Sequence, residues 1–193
     1  MRRSALVTGS RERVGAMATA LEAVEFSVTG VSDPTTLSQV CAGFEPGSLH
    51  CYVQMPGRIV PRSGSVVGRL REFLTQGLLA RYEASAQVVP VLSDDAVVVL
   101  VSGNHPSVSG LPDDQAARVG LLRVLAQAIL ADTADTNVHA AVVEHGRSTA
   151  EIAELARQGG GQRLRIVSDY GQTGDISYVD WRLRILELAS TEG

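Results

Sequence analysis

A histidine set among hydroxyls is the first feature of this sequence that could do chemistry. Ser102 ends the β-branched run AVVVLVS at 96–102, and His105, Ser107 and Ser109 follow it. A His beside serines at the carboxyl end of a strand can act as general base or activate a nucleophile; a polar loop with an exposed His fits the same residues. A second group is H-A-A-V-V-E-H, with His139, Glu144 and His145. On a strand its two histidines fall on one side but roughly 20 Å apart at about 3.3 Å per residue, too far to share a metal. The sequence therefore predicts no metal site. Arg11 and Arg13 follow Gly9 where a helical pattern starts, and backbone N–H groups and the macrodipole favour an anion there. A phosphate-bearing ligand and a solvated turn are both open readings. Asp94-Asp95 and Asp113-Asp114 each precede an expected strand or helix, and turn and capping roles account for them better than paired-carboxylate catalysis.

What is missing narrows the chemistry further. All 17 basic residues are arginine. Without lysine there is no Schiff-base chemistry, no phosphate-binding Lys of a G-x-x-x-x-G-K-[ST] loop and no Tyr-x-x-x-Lys proton relay. The net charge of −4, with no Arg run longer than two, argues against a nucleic-acid partner. Cys41 and Cys51 do not form a C-x-x-C pair, and they suit a reducing compartment as small buried side chains. The N-terminus offers only about four apolar residues before Gly9, far short of a signal-peptide core or a membrane span. The expected location is cytoplasmic, without membrane contact. At 193 residues, 45% hydrophobic and 20% charged, the chain reads as one globular domain over 1–193.

The elements that must position these residues alternate. An apolar run at 4–8 ends at Gly9 and leads into a helix with Val14, Met17, Leu21 and Val24 at helical spacing. A strand at 27–32, a short helix at 34–43 capped by Asp33, and a strand at 49–53 closed by Met55-Pro56-Gly57 follow. A loop at 58–68 precedes a long apolar helix at 69–92, expected to end near Pro90. The run at 96–102 is a strand buried on both faces. A helix at 113–131, a strand at 138–143, a helix at 148–158 capped by Ser148, and a hinge at Gly159-Gly160-Gly161 come next. Short strands at 163–167 and 176–179 and a helix at 181–189 complete the reading. Such alternation forces right-handed crossovers and a doubly wound parallel α/β sheet. Ligands then belong beyond the carboxyl strand ends, near Gly9, Gly57, Ser102 and Glu144.

With that order in place, the strand ends resemble those of short-chain dehydrogenases/reductases along nearly the whole chain. ALVTGSRERVG is similar to the family's first strand and T-G-x-x-x-G-x-G turn, with Thr8, Gly9 and Gly15 matching and Arg13 standing at the middle glycine. GVSDPTTLSQV resembles the D-V-(S/T)-D segment, LHCYVQMPG the L-V-N-N-A-G strand end, GLLARYEASAQVVPVL the N-x-x-G-x-F helix, and GLLRVLAQAILAD the G-L-x-R-x-L-A-x-E-L helix. TGDISYVDW is similar to the T-G-x-x-x-x-V-D-G-G strand through Thr173, Gly174, Val179 and Asp180. The resemblance implies a Rossmann-like fold with helices on both faces.

The departures fall on the chemistry. By this alignment Gly77, Gly103, Leu111 and Gln115 occupy the family's four catalytic positions, leaving Ser102 and His105 as alternatives. The span between first helix and fourth strand is about half the family's, so one strand-helix unit is deleted. Gly9, Arg11, Arg13 and Gly15 remain as a vestigial cofactor turn, and no cofactor is expected, nor nicotinamide-dependent reduction. The two long helices, 69–92 and 113–131, are apolar around much of their circumference, more than one buried face requires; a small domain wrapping them against its own sheet fits the same pattern. In the family these two resemble the pair that builds a four-helix dimer interface. Leu78, Leu79, Val88, Leu121, Leu125 and Ile129 are the candidates, some of which must face the sheet. The expected function is association, as a homodimer or as the non-catalytic subunit of an active homologue in a biosynthetic pathway. An atypical enzyme acting on a small carbonyl compound, such as a cyclase, dehydratase or residual reductase, and a ligand-sensing pocket are the alternatives.

Overall fold

The computed structural model describes residues 2–57, 59, 62–103, 112–159 and 162–168. Among these, six strands lie in one sheet, β1 (Arg3–Thr8), β2 (Phe26–Val31), β3 (Leu49–Gln54), β4 (Leu92–Val101), β5 (His139–Val143) and β6 (Leu164–Val167), in the order β2-β1-β3-β4-β5-β6. Every pairing is parallel. Parallel neighbours need crossovers, and the helices that supply them cover both faces. On one face α1 (Arg11–Ala23) and α6 (Thr149–Gln158) pack on Ala5, Val7, Val53, Val99 and Val143. On the other, α2 (Leu37–Ala42), α4 (Ala80–Val88) and α5 (Pro112–Asp132) cover Leu6, Tyr52, Val98, Leu100 and Val142. Along each strand the two sets alternate, as the period of two demands. The doubly wound α/β reading is therefore observed.

Local chemistry explains several boundaries. Asp33 accepts from the Thr35 amide at 2.9 Å and starts a 3-10 turn, Pro34–Thr36, that leads into α2. Ser148 caps α6 in a reciprocal capping box with Glu151, whose carboxylate accepts from the Ser148 amide at 2.8 Å. Gly159, at φ 51°, closes that helix in the left-handed region. Gly30 in β2 leaves space for Val14, since a Cβ there would stand 2.7 Å from the Val14 methyl. Cys41 and Cys51 are buried free thiols, and burial pushes Cys51 up to about 12.

Three expectations need correction. The helix expected over 69–92 starts earlier, at Val66, and passes through α3 (Val66–Glu72), a π-helical stretch (Phe73–Leu79) and α4 before a 3-10 turn, Val89–Val91. Part of the expected 58–68 loop is thus helical. The helix stops at Val88 because Pro90 cannot continue it, and Leu92 belongs to β4, paired with Leu49. The strand expected at 96–102 accordingly begins four residues sooner. Asp94 and Asp95 do not precede it: they lie inside β4, at an irregularity where Leu49 pairs with Leu92 and Cys51 with Val97. Both are exposed there, and Asp95 accepts from Ser93 Oγ at 2.9 Å. The bulge lets two charges sit in a strand otherwise buried on both faces.

Candidate functional site

The β-strand order reverses between β1 and β3, the position in such sheets beyond whose carboxyl strand ends ligands bind. Gly9 turns the chain out of β1 with φ 145° and approaches β3 closely. A Cβ on it would stand 2.7 Å from Met55 Cβ and 2.8 Å from the Met55 carbonyl oxygen. The Met55 amide donates to the Thr8 carbonyl at 2.8 Å and the Ser10 amide to the Pro56 carbonyl at 3.3 Å, tying the two turns together. Arg13 then lays its guanidinium over the same turn, with Nη1 donating to the Pro56 carbonyl at 3.4 Å. A dinucleotide pyrophosphate needs bare backbone at this third helical position, so the turn does not fit that group. Arg11 is exposed at the helix start. Gly15 meets nothing within 4 Å, so a side chain would fit there freely.

Next along the strand ends lie Ser102 and Gly103 after β4, and Glu144 and His145 after β5. Ser102 is only 1% exposed. Its amide donates to the Val143 carbonyl and its Oγ accepts from the His145 amide, both at 2.8 Å. The hydroxyl thus fastens β4 to β5. A Cβ on Gly103 would stand 3.2 Å from Pro56 Cβ and 3.9 Å from Nη1 of Arg118, which comes from α5. Burial, followed by the nearby Arg13 guanidinium, holds the His145 imidazole below its usual range; Glu144 opposes this and Arg118 adds to it. The structure therefore brings Arg13, Ser102, Gly103, Arg118, Glu144 and His145 to one edge. His139 stands at the opposite end of β5, so the wide separation expected of the two histidines holds. Among the described residues no His, Cys, Asp and Glu side chains gather as a metal site.

A second polar group, not foreseen from sequence, lies on the other face beneath α4. Tyr52 Oη is 3.0 Å from Thr8 Oγ1 and accepts from Gln54 Nε2 at 2.9 Å. Gln54 Nε2 also donates to the Arg81 carbonyl at 3.0 Å. Arg81 returns Nε to Gln54 Oε1 at 2.8 Å and Nη2 to the Gln54 carbonyl at 3.1 Å. Burial pulls the Arg81 guanidinium down to about 10, still charged at neutral pH, and pushes the Tyr52 phenol up. Such a satisfied network clamps the end of β3 to α4 rather than offering a reactive group. One signal was available in the sequence. Leu78, Arg81, Ser85 and Val88 share a helical face, so Arg81 had to point where Val88 points.

Gly77 lies in the π-helical stretch, where a Cβ would meet Ile59 Cδ1 at 2.6 Å. His105, Ser107, Ser109, Leu111, the 160–161 part of the glycine hinge and the 169–193 segment with Thr173, Gly174, Val179 and Asp180 lie outside the described residues. Gln115 is placed in α5 by its backbone, with its side chain outside the description.

The outer faces of the two long helices complete the picture. Val88, Leu122, Leu125, Ala126 and Ile129 are buried against the sheet. Val88, Leu125 and Ile129 are thereby removed from the interface candidates. Among the described residues the exposed large apolar side chains are Val67, Leu74 and Leu79 on the first helix, and Leu121 and Val124 on α5. The Tyr82 hydroxyl donates to the Leu121 carbonyl at 3.0 Å, pinning the pair together. Among the described residues no helix is long and apolar enough to cross a membrane.

Comparison with solved structures places this arrangement. A small-chain dehydrogenase matches with a TM-score of 0.61 at 16% identity, over 89% of this chain and 98% of that one. A short-chain dehydrogenase/reductase from Serratia marcescens matches at 0.59 and 15%, over 86% and 95%. An oxidoreductase of the short-chain dehydrogenase/reductase family from Brucella ovis, in complex with a partially ordered NAD, matches at 0.58 and 14%, over 87% and 100%. The fold is that of the short-chain dehydrogenases/reductases. No family profile matches the chain, and no curated protein matches it in sequence.

Proposed function

We propose that this chain, built on the short-chain dehydrogenase/reductase fold, works by association through its two long helices and not by hydride transfer. One observation carries the reading: the exposed large apolar side chains among the described residues all lie on the 66–88 helix and on α5. The exposed positions of α5 from Gly120 to Ala131 are Gly120, Leu121, Val124, Gln127, Ala128 and Ala131, a face without a charge. A helix apolar on both sides is ordinarily buried on both. The partner is a second copy. Arg69 and Arg71 stand exposed near the start of the 66–88 helix and Glu83 near its end. An antiparallel copy would set these opposite charges against each other on either side of the Leu74 to Leu79 stretch.

The non-catalytic part of the reading draws on composition and placement. The chain has no lysine, Gly77 and Gly103 carry no side chain to react, and Arg13 covers the turn that a pyrophosphate would approach. Native mass spectrometry of the protein alone, and of the protein expressed with its neighbouring gene products, tests the proposal. A homodimer without nucleotide is expected. A monomer under both conditions would overturn it, and a complex with an active homologue alone would replace the second copy by that partner.

A further inference from the structure

The sheet ends at β2, and register decides which backbone groups of that strand are free. Val31 turns its carbonyl to β1, accepting from the Gly9 amide at 3.3 Å. Backbone groups alternate sides along a strand, so Ser27 and Thr29 face β1 as well. Phe26, Val28 and Gly30 then aim their N–H and C=O groups away from the sheet. Among the described residues β2 pairs with β1 alone, and no other backbone takes up these outward groups. Natural edges are blunted by charge, proline or a bulge. The strand FSVTGV has no charge, no proline and an unbroken register with β1. The opposite edge, β6, carries the exposed Arg165.

We infer that β2 is a second association edge, which pairs antiparallel with β2 of another copy of this chain. Outward residues must meet outward residues about a two-fold axis, and only one such register overlaps the whole strand. Val28 then stands opposite its own counterpart, Phe26 opposite Gly30, and Ser27 opposite Thr29. The outward pairs exchange about six N–H···O bonds. Ser27 and Thr29, both exposed, meet hydroxyl to hydroxyl, while Val28 meets itself on the α1 side. Slipping the register shortens the overlap. The chain before Phe26 turns away at Glu25, φ 71°, and Pro34 beyond Asp33 has no N–H to give. A seam of 6 residues per strand is smaller than a standard interface, so its dissociation constant is expected on the order of 1 mM. At tens of micromolar it stays open, leaving the helix pair as the seam that forms there. The edge lies at the far end of the sheet from α5, which packs on β4, β5 and β6, so the two associations stand or fall separately.

Amide hydrogen exchange followed by NMR tests this, on the unmodified chain and on Leu79→Arg, which removes the helix seam. Between about 0.05 and 2 mM protein, the outward amides of Phe26, Val28 and Gly30 should come to exchange about two- to threefold more slowly. The Ser27 and Thr29 amides already face β1 and should not change. These signals are local to β2, so they report on the edge whether or not the helix seam forms. Ser27→Lys with Thr29→Lys sets like charges opposite each other and should abolish the slowing. Ser27→Lys with Thr29→Glu sets opposite charges there and should restore it. Both positions are exposed, and circular dichroism should show the fold kept. Outward amides that exchange at one rate over the whole range would refute the seam, as would slowing that survives the two lysines. Loss of the slowing in both charged variants would refute the register. Slowing seen only when a foreign peptide of alternating Thr and Val is added would give the edge to a partner strand and refute the second copy.

Discussion

Placing an arginine at Leu79 and, separately, at Leu125 separates the outer face of the long helices from the inner one. Full burial of a Leu side chain contributes roughly 1.5–3 kcal/mol, and Leu79, at 52% exposed, has realised about half of that in the monomer. Association would bury the remainder, about 1 kcal/mol per side chain, and an isologous two-fold counts it twice, ~2 kcal/mol per dimer. Losing that amount weakens the dimer about thirtyfold, before any repulsion between two guanidiniums brought to one seam. Leu125 is 3% exposed. Its loss costs about 2–5 kcal/mol, and burying an unpaired charge adds more, which together consume most of a typical stability of roughly 5–15 kcal/mol. Sedimentation velocity over a concentration series, with circular dichroism on the same samples, should show Leu79→Arg as a folded monomer and Leu125→Arg as unfolded. A Leu79→Arg protein that associates as tightly as the unmodified chain would refute the reasoning, because the exposed face would then not be the seam.

Other outcomes follow from particular contacts. Gly9→Ala should cost about 2 kcal/mol or more, through its collision with Met55 at φ 145°; Gly15→Ala, inside α1 with open space around it, should stabilise by about 0.5–1 kcal/mol, both read by urea denaturation. Arg81→Met leaves the Gln54 carbonyl and side chain without their donors and should cost roughly 2–4 kcal/mol, with Arg81→Lys recovering only part of it because an ammonium cannot reproduce the fork. Ser102→Ala removes the acceptor of the half-buried His145 amide and should lower stability by about 1–2 kcal/mol. The folded His145 pKa lies below its unfolded value, so the unfolded chain binds more protons between the two; stability is full above the usual histidine range and is lost as pH falls through the folded value. Thermal melts between about pH 7.5 and 5 should show this fall, and His145→Gln should flatten it.

Strand identity could be read from the sequence because it depends on local composition. The run Val97 to Val101 suits only a strand covered on both faces, and the Gly9, Asp33 and Ser148 signals mark ends through backbone geometry and capping. The resemblance at the strand ends pointed to the same fold. Boundaries were less legible where a tertiary partner decides them. Leu92 joins β4 because Leu49 stands beside it, and Asp94 and Asp95 are tolerated inside a strand only because the register with β3 breaks there. The site depended still more on folding. Arg13, Arg118 and His145 are separated by long stretches of chain, and nothing local to any of them reports the other two. Ser102 looks like a free hydroxyl in sequence, yet the parallel register of β4 and β5 brings the His145 amide to it and occupies it. The sequence by itself determined that the two long helices are apolar around much of their circumference. Which residues face outward was decided by the packing of each helix on the sheet. It turns Leu125 and Ile129 inward and leaves Leu121 and Val124 in solvent, because a helix of uniform apolarity has no period to orient it.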